Sequence, residues 1–326
     1  MLHALRSHLH LAALSAAVLD MLGQPSAQAQ PVKVRVSTIP IIDTAPLQVA
    51  LARGFFAEQG LEIDTTPTAG GAVGLPALAA GQVQISFSNV TSIVLGAKQG
   101  LGFRVIAAGS GTADAPPDLA GMVIKPGSAI RTGTDLEGKR VAVNTRNNII
   151  WLYARAWVQA TGGDPNKVTY LEVPFPQMID GLRGGRVDAA FVVEPFLSSG
   201  LKSGAAQLIG WPYSTVQKRI PVSMYATTNS YLKASPGVIE RFVRGYNKGV
   251  DWMRQNKGSE EWLKIISGYT RLNPEQVKDA NLPVFEKTVD PAAIDKVVEL
   301  MREHKMIDGP FDSRALLHET ATRAVK

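Results

Sequence analysis

Leu78-Ala-Ala-Gly81-Gln-Val83-Gln and Leu182-Arg-Gly-Gly185-Arg-Val187-Asp repeat one phrase 104 positions apart (182 − 78). In each copy a helix-like segment reaches a glycine suited to a left-handed C-cap. An apolar run follows, Val83 to Phe87 in the first copy and Val187 to Val193 in the second. The runs stop in polar residues, Ser88-Asn89 and Glu194-Pro195, which puts polar groups at the carboxyl ends of strands, where open α/β sheets hold ligands. Two such units predict two similar α/β lobes facing one another across a cleft. The competing reading is a chance echo, since helix, glycine, strand is a common succession in α/β chains.

Working outward, strand-like and helix-like segments alternate, the pattern of α/β architecture. Val32 to Ser37 alternates as a first strand. Thr44 reads as an N-cap with Pro46 in the first turn, and Leu47, Ala50, Leu51 and Phe55 share a face of a helix ending near Gly60. Leu61 to Thr65 is a strand, Gly70-Gly71 leads into a helix over 72–80, and Phe103 to Ala108 is a buried strand. Ser110 to Asp118, with Pro116-Pro117, reads as a loop, after which Leu119 to Ile124 carries the chain toward the second lobe. There Val141-Ala-Val143 is a strand. A helix over 149–161 follows, with Trp151, Ala154, Trp157 and Val158 available for its buried face. Val168 to Val173 is a strand, Pro174-Phe-Pro176 starts the helix that ends at Gly184-Gly185, and Val222 to Thr227 is the candidate return crossover. From Ser235 onward the pattern is helical.

Composition bounds the function. The start is weakly basic (Arg6, His8, His10), an apolar stretch runs from Leu11 to Leu19, and Ala27-Gln28-Ala29 is a small-residue cleavage site. This predicts a secretory signal peptide cut after Ala29 and a periplasmic protein, since an anchor helix would need about 20 consecutive apolar residues. The chain has 326 residues, and removing 29 leaves 297, enough for two lobes. There is no cysteine, hence no lipid-attachment cysteine, disulfide framework or thiol chemistry. A net charge of +6, from 34 basic and 28 acidic residues, is mild, and no basic block with interleaved aromatics suggests nucleic acid. It either draws small anions toward a cleft or serves solubility alone.

Several stretches carry a family resemblance, in order along the mature chain. They are Ser37-Thr38 with Thr44-Ala-Pro-Leu47, Gly54-Phe-Phe-Ala-Glu-Gln-Gly-Leu61, the two Leu-x-x-Gly-x-Val units, Gly138-Lys-Arg-Val-Ala-Val-Asn144 and Val193-Glu-Pro-Phe196. Together they resemble the periplasmic solute-binding proteins of ABC importers, in the branch for nitrate, taurine, alkanesulfonates and the thiamine-pyrimidine precursor. The resemblance implies a type II periplasmic-binding fold: two α/β lobes joined by a two-crossover hinge, closing on ligand in the cleft. The expected organisation is a signal peptide over 1–29, a first part of lobe 1 over 30–121, lobe 2 over 122–226, and a return to lobe 1 with C-terminal helices over 227–326. The implied partners are a small-molecule ligand and an inner-membrane permease with its ATPase, with the binding protein a monomer and no cofactor.

Three turns end a strand and begin a helix, Thr38 to Thr44, Thr68 to Ala72 and Asn144 to Asn148, and helix N-termini attract anions and carbonyls. Thr38, Asp43, Thr44, Gly70, Gly71, Ala72, Thr145, Asn147 and Asn148 are therefore candidate ligand residues. Gly70-Gly71 admits a ligand to the backbone. Thr44, Asn147 and Asn148 have the alternative role of capping their own helices. Arg146 is either a bidentate grip for a sulfonate or carboxylate or a solvated loop arginine. Glu194 receives a cationic or N–H group, pairs with Arg146, or is a surface acid. Phe175 walls the pocket, Trp151 belongs to wall or core, and Ser88 and Asn89 suit an oxygen-rich ligand.

The preferred ligand is a small anion (sulfonate, nitrate or carboxylate), with a pyrimidine-type molecule as the alternative. A same-fold enzyme is the rival class. It has little to work with: histidines stand only at 3, 8, 10, 304 and 318, so neither a Cys/His pair nor a zinc-spaced cluster is available. Asp43, Glu194 and Asp188 leave a carboxylate enzyme open, without pairing in sequence.

Overall fold

The computed structural model describes residues 30–323 and residue 325, so the expected signal peptide, 1–29, lies outside the described residues. The chain opens with β1 (Val32–Thr38), α1 (Ala45–Ala52), β2 (Leu61–Pro67), α2 (Gly71–Ala79), β3 (Ile85–Asn89), α3 (Val90–Lys98) and β4 (Phe103–Ala108). The second run is β5 (Ala120–Ile124), β6 (Arg140–Val143), α4 (Ile149–Ala160), β7 (Thr169–Glu172), α5 (Phe175–Arg183), β8 (Ala189–Val193), α6 (Phe196–Lys202) and β9 (Gln207–Gly210). A short helix, α7 (Pro212–Val216), then leads to β10 (Ser223–Thr228).

These strands form two five-stranded sheets, in the orders β2-β1-β3-β10-β4 and β7-β6-β8-β5-β9. The sheets repeat one plan. In each, a parallel trio built from β-α-β units meets an antiparallel strand, β10 in the first sheet and β5 in the second. The echoed phrase is the local cause. Gly81 and Gly185 take left-handed φ values of 71° and 68°, and β3 and β8 follow with every residue buried. Strands buried along their whole length suit the centre of a sheet covered by helices on both faces. The fold is thus the expected one, two open α/β sheets in a periplasmic-binding arrangement.

The first helix is shorter than its pattern predicts. The apolar spacing runs on to Phe55, but Gly54 adopts φ 72° and the chain leaves the helix at Ala52. Thr44 is also not the hydroxyl cap expected of it. Its Oγ1 donates back to the carbonyls of Ile39 (2.9 Å) and Ile41 (3.0 Å), stitching the loop after β1.

The chain changes sheets between β4 and β5 and again between β9 and β10. After β10 come α8 (Asn229–Ala234), α9 (Pro236–Asn256), α10 (Glu260–Thr270), α11 (Pro274–Val277) and α12 (Pro291–Glu303). α9 lays Phe242 and Tyr246 against Tyr225 of β10, at centroid distances of 5.7 and 4.8 Å. No helix among the described residues is long and apolar enough to cross a membrane.

Candidate ligand-binding site

The carboxyl ends of the parallel strands of both sheets face one narrow cavity, with about 30 Å3 of room inside. From the first sheet come Ile39, Ile41 and Asp43 after β1, Gly71 at the start of α2, and Phe87 and Asn89 at the end of β3. From the second come Asn144 after β6, Asn148, Ile149 and Ile150 around the start of α4, Phe175 opening α5, and Val193 ending β8. Leu119, Tyr213, Val222 and Ser223, from the segments that connect the sheets, close the ring. This is an apolar chamber with a few convergent polar groups, the usual make-up of a small-molecule site.

Asp43 is the one charged side chain in that lining, and it is 1% exposed. Its Oδ1 accepts a short hydrogen bond from Ser110 Oγ, and Ser110 is fixed in turn by Ser223, with Oγ to Oγ at 2.7 Å and Ser110 N to Ser223 Oγ at 2.9 Å. The second oxygen, Oδ2, has no partner among the described residues. Burial pushes the carboxyl up to about 6, against the lowering effect of the Ser110 hydroxyl and its own backbone N–H. The Tyr213 hydroxyl is buried in the same wall and equally unpartnered, its ring edge-on to Tyr153 at 5.0 Å.

The asparagines are already committed. Asn148 Oδ1 caps α4 through Trp151 N (3.0 Å), and its Nδ2 donates to Asn144 Oδ1 (2.7 Å). Asn89 Oδ1 caps α3 through Ser92 N (2.9 Å) and also accepts from Ile149 N (3.3 Å). α2, by contrast, has no side-chain cap, because its N-cap is Gly70. Gly70 is pressed against the opposite wall: a Cβ there would stand 2.7 Å from Asn144 Nδ2 and 3.3 Å from Thr145 Cγ2. Thr38, Ser88 and Thr145 each keep a buried hydroxyl without a partner among the described residues, but none of the three lines the cavity, and Ala72 is half-buried beside Gly71.

Other expected groups lie elsewhere. Arg146 is exposed and its guanidinium donates to the Tyr170 carbonyl (2.9 Å), while its N–H donates to Glu172 Oε1 (2.7 Å); it does not line the cavity. Asn147 is exposed at φ 54°, the left-handed turn that an asparagine tolerates. Trp151 packs edge-on to Tyr170 at 6.1 Å with Arg155 over its face at 4.7 Å, away from the cavity.

Glu194 is fully buried one residue past Val193, yet it does not line the cavity, and it pairs with neither Arg146 nor any other cation among the described residues. It accepts from Ser198 N (3.1 Å), Ser198 Oγ (2.7 Å), Asn281 N (3.1 Å) and Asn281 Nδ2 (3.0 Å). Burial nevertheless dominates and pushes it up to about 7. Its backbone carbonyl accepts from Ile42 N (3.1 Å), so the loop after β1 is held to the end of β8.

Sequence reasoning missed Ile39, Ile41, Phe87, Ile149, Ile150, Val193, Leu119, Asn144, Val222, Tyr213 and Ser223 in the lining. The first six are apolar neighbours of the named polar positions. The last two stand where the chain passes back between sheets, and only Pro212 beside Tyr213 hinted at a turn there.

With this geometry in place, comparison with known proteins is informative. Residues 41–258, about two thirds of the chain, match the NMT1/THI5 like family. Among curated relatives, the nitrate/nitrite binding protein NrtA of Nostoc sp. is 21% identical over 72% of this chain and 57% of its own length. The taurine-binding periplasmic protein of Escherichia coli is 25% identical over 81% of this chain and 86% of its own. The chain spans under two thirds of the NrtA relative and of the bicarbonate-binding protein CmpA of Synechococcus, 57% and 58%. Among solved structures, the alkanesulfonate-binding protein SsuA of Xanthomonas axonopodis bound to MOPS superposes with a TM-score of 0.75 at 15% identity, covering 89% of this chain and 99% of that one. The nitrate-binding protein NrtA of Synechocystis gives 0.72 at 15% identity, covering 88% and 85%. The shared fold and the long family match agree with the resemblance read from the motifs, and the chain belongs to the NMT1/THI5-like family.

Proposed function

We propose that this protein is the extracytoplasmic solute-binding component of an ABC importer: it takes one small solute between the two sheets, closes on it, and delivers it to a permease without altering it. The observation that carries the reading is the cavity itself, which needs wall residues from both sheets and is bridged by Asn89 to Ile149 and by Ile42 to Glu194. A site shared between two α/β units is completed only when they come together, which is how hinge closure couples to ligand. The relatives' names as binding proteins support a non-enzymatic role. So does the placement of His304 and His318, neither of which lines the cavity.

Two ligand classes remain in view. For an anion speaks the α2 N-terminus at Gly71, which no side chain caps. For an N–H-bearing ligand speaks the unpartnered oxygen of Asp43. Solution scattering tests the shared part of the reading. A saturating solute should shrink the radius of gyration and be recovered unchanged after incubation. A stabilising compound that is chemically converted would make the protein an enzyme instead.

A further inference from the structure

We propose that residues 279–289 form a strap, a third and non-covalent link between the two sheet units, which crosses their hinge and holds the units together before any solute arrives. No residue of the strap lines the cleft cavity. Its action rests on the two units being able to part, as hinge closure requires.

The two covalent connections between the sheets run side by side as an antiparallel ribbon, with Ser223 N donating to the Ser110 carbonyl (3.0 Å) and Thr112 N to that of Ile220 (3.0 Å). Val284 adds a third strand. It exchanges both backbone bonds with Gly111, at 2.8 and 3.0 Å, and Gly111 also bridges Pro221. A two-stranded ribbon is marginal by itself in water, and a third strand stiffens it. A Cβ on Gly111 would stand 3.0 Å from the Ile220 carbonyl oxygen and 3.8 Å from that of Val284, so the three segments meet as bare backbone.

The two ends of the strap are tied to different units. At the carboxyl end Lys287 pairs with Asp251 of α9 (2.7 Å), the Arg254 guanidinium of α9 donates to the Phe285 carbonyl, and Phe285 and Val289 are buried. α9 in turn packs on β10 of the first sheet through Phe242 and Tyr246. The amino end grips the second unit. Asn281 gives its backbone N–H (3.1 Å) and its Nδ2 (3.0 Å) to Glu194 Oε1 after β8, and Asp279 pairs with Lys202 of α6 at 2.7 Å. Just ahead of the strap, Gln276 Nε2 of α11 donates to Ser199 Oγ of α6 (3.0 Å). The bonds to Glu194 end on a fully buried carboxylate, where hydrogen bonds are charge-assisted, whereas solvent screens the exposed Lys202 pair. The grip is therefore strongest at Asn281. Parting the units draws β8 and α6 away from a strap that α9 holds in place, so these contacts must break first.

Pulsed electron paramagnetic resonance on the ligand-free protein at pH 8, where Glu194 is mostly ionised, tests this. Spin labels go at Gln82→Cys and Arg186→Cys, exposed and matching positions of the two echoed phrases in a chain with no cysteine of its own. Asn281→Ala, Lys202→Ala and Ser199→Ala together should add a second distance population absent from the labelled parent, and Asn281→Ala alone a smaller one. Lys202→Ala with Ser199→Ala leaves the buried carboxylate satisfied, and should still broaden the distribution should the Asn281 variants fail to fold. Asn89→Ala cuts the cleft-side bond to Ile149 instead and serves as the control. Strap variants whose distribution matches the parent's overturn the proposal. When Asn89→Ala shifts it and they do not, the hinge survives without the strap; when none shifts it, hinge movement fails as well.

Discussion

Asn89 Oδ1 serves the N-termini of two helices in different units at once, capping its own α3 through Ser92 N at 2.9 Å and accepting from Ile149 N of α4 at 3.3 Å. One oxygen therefore links local helix stability to the apposition of the two sheets. Asn89→Ala removes both bonds. It should cost about 1 kcal/mol of unfolding free energy, the usual worth of an N-cap. Asn89→Ser keeps a capping oxygen but shortens the reach to Ile149. Chemical denaturation and ligand titration on the two variants should show Ser recovering stability more fully than affinity.

Gly70 has an extended backbone (φ −176°) that any residue can adopt, so a side chain there is excluded by the opposite wall rather than by strain. A Cβ would meet Asn144 Nδ2 at 2.7 Å. Gly70→Val is expected to leave the melting temperature of the ligand-free protein nearly unchanged while lowering solute affinity. In scattering, the compaction seen on adding solute to the wild type should be absent.

Glu194 and Asp43 set the pH dependence. Both carboxyls are raised, to about 7 and about 6 from ordinary values of 4.5 and 3.8, so between those values the folded chain holds protons that the unfolded chain has released. Stability from these groups is fully present below about pH 4 and falls as pH rises to about 7. Denaturation of ligand-free protein across pH 4 to 8 should show that decline. Glu194→Gln should flatten its upper part, a change on the order of 3 kcal/mol for a shift of this size. Since Glu194 is engaged by Ser198 and Asn281, this variant should alter stability more than solute affinity.

Arg146→Ala should leave solute affinity within about twofold, because the guanidinium is exposed and holds the Tyr170 carbonyl at the outer strand β7. A loss of tenfold or more in a titration would return Arg146 to the site.

The product exported by a Gram-negative host should begin at Gln30, following Ala27-Gln28-Ala29. N-terminal sequencing of the periplasmic fraction checks this. An intact Met1 on membrane-bound protein would remove the export reading.

The fold was legible because its evidence is periodic. Gly81 and Gly185 before Val83 and Val187 encode a C-cap and a buried strand within a few residues of one another, so they can be read locally. Part of the cavity lining was legible for the same reason. Asp43, Gly71, Asn89, Asn148 and Phe175 stand at strand ends or helix starts and line the cavity. Arg146 shares that position in sequence, yet its long side chain reaches outward to Tyr170, a choice made by neighbours far along the chain. Tyr213 and Ser223 were illegible because they enter the site from the passage between sheets, where no repeat announces them. Glu194 was placed correctly at a strand end, but Asn281, 87 positions away, took its carboxylate.

The placement of β10 orders the events of folding. β5 through β9 are contiguous, so the second sheet holds all its strands once residue 210 is free of the machinery delivering the chain. The first sheet cannot do this. β10 lies inside it, between β3 and β4, and is separated from β4 by the whole second unit. Until residues 223–228 emerge, β3 and β4 each present an unpaired edge, the kind that invites other chains. The half of the protein that is made first is therefore finished last, and its vulnerability to aggregation lasts as long as the later half takes to arrive.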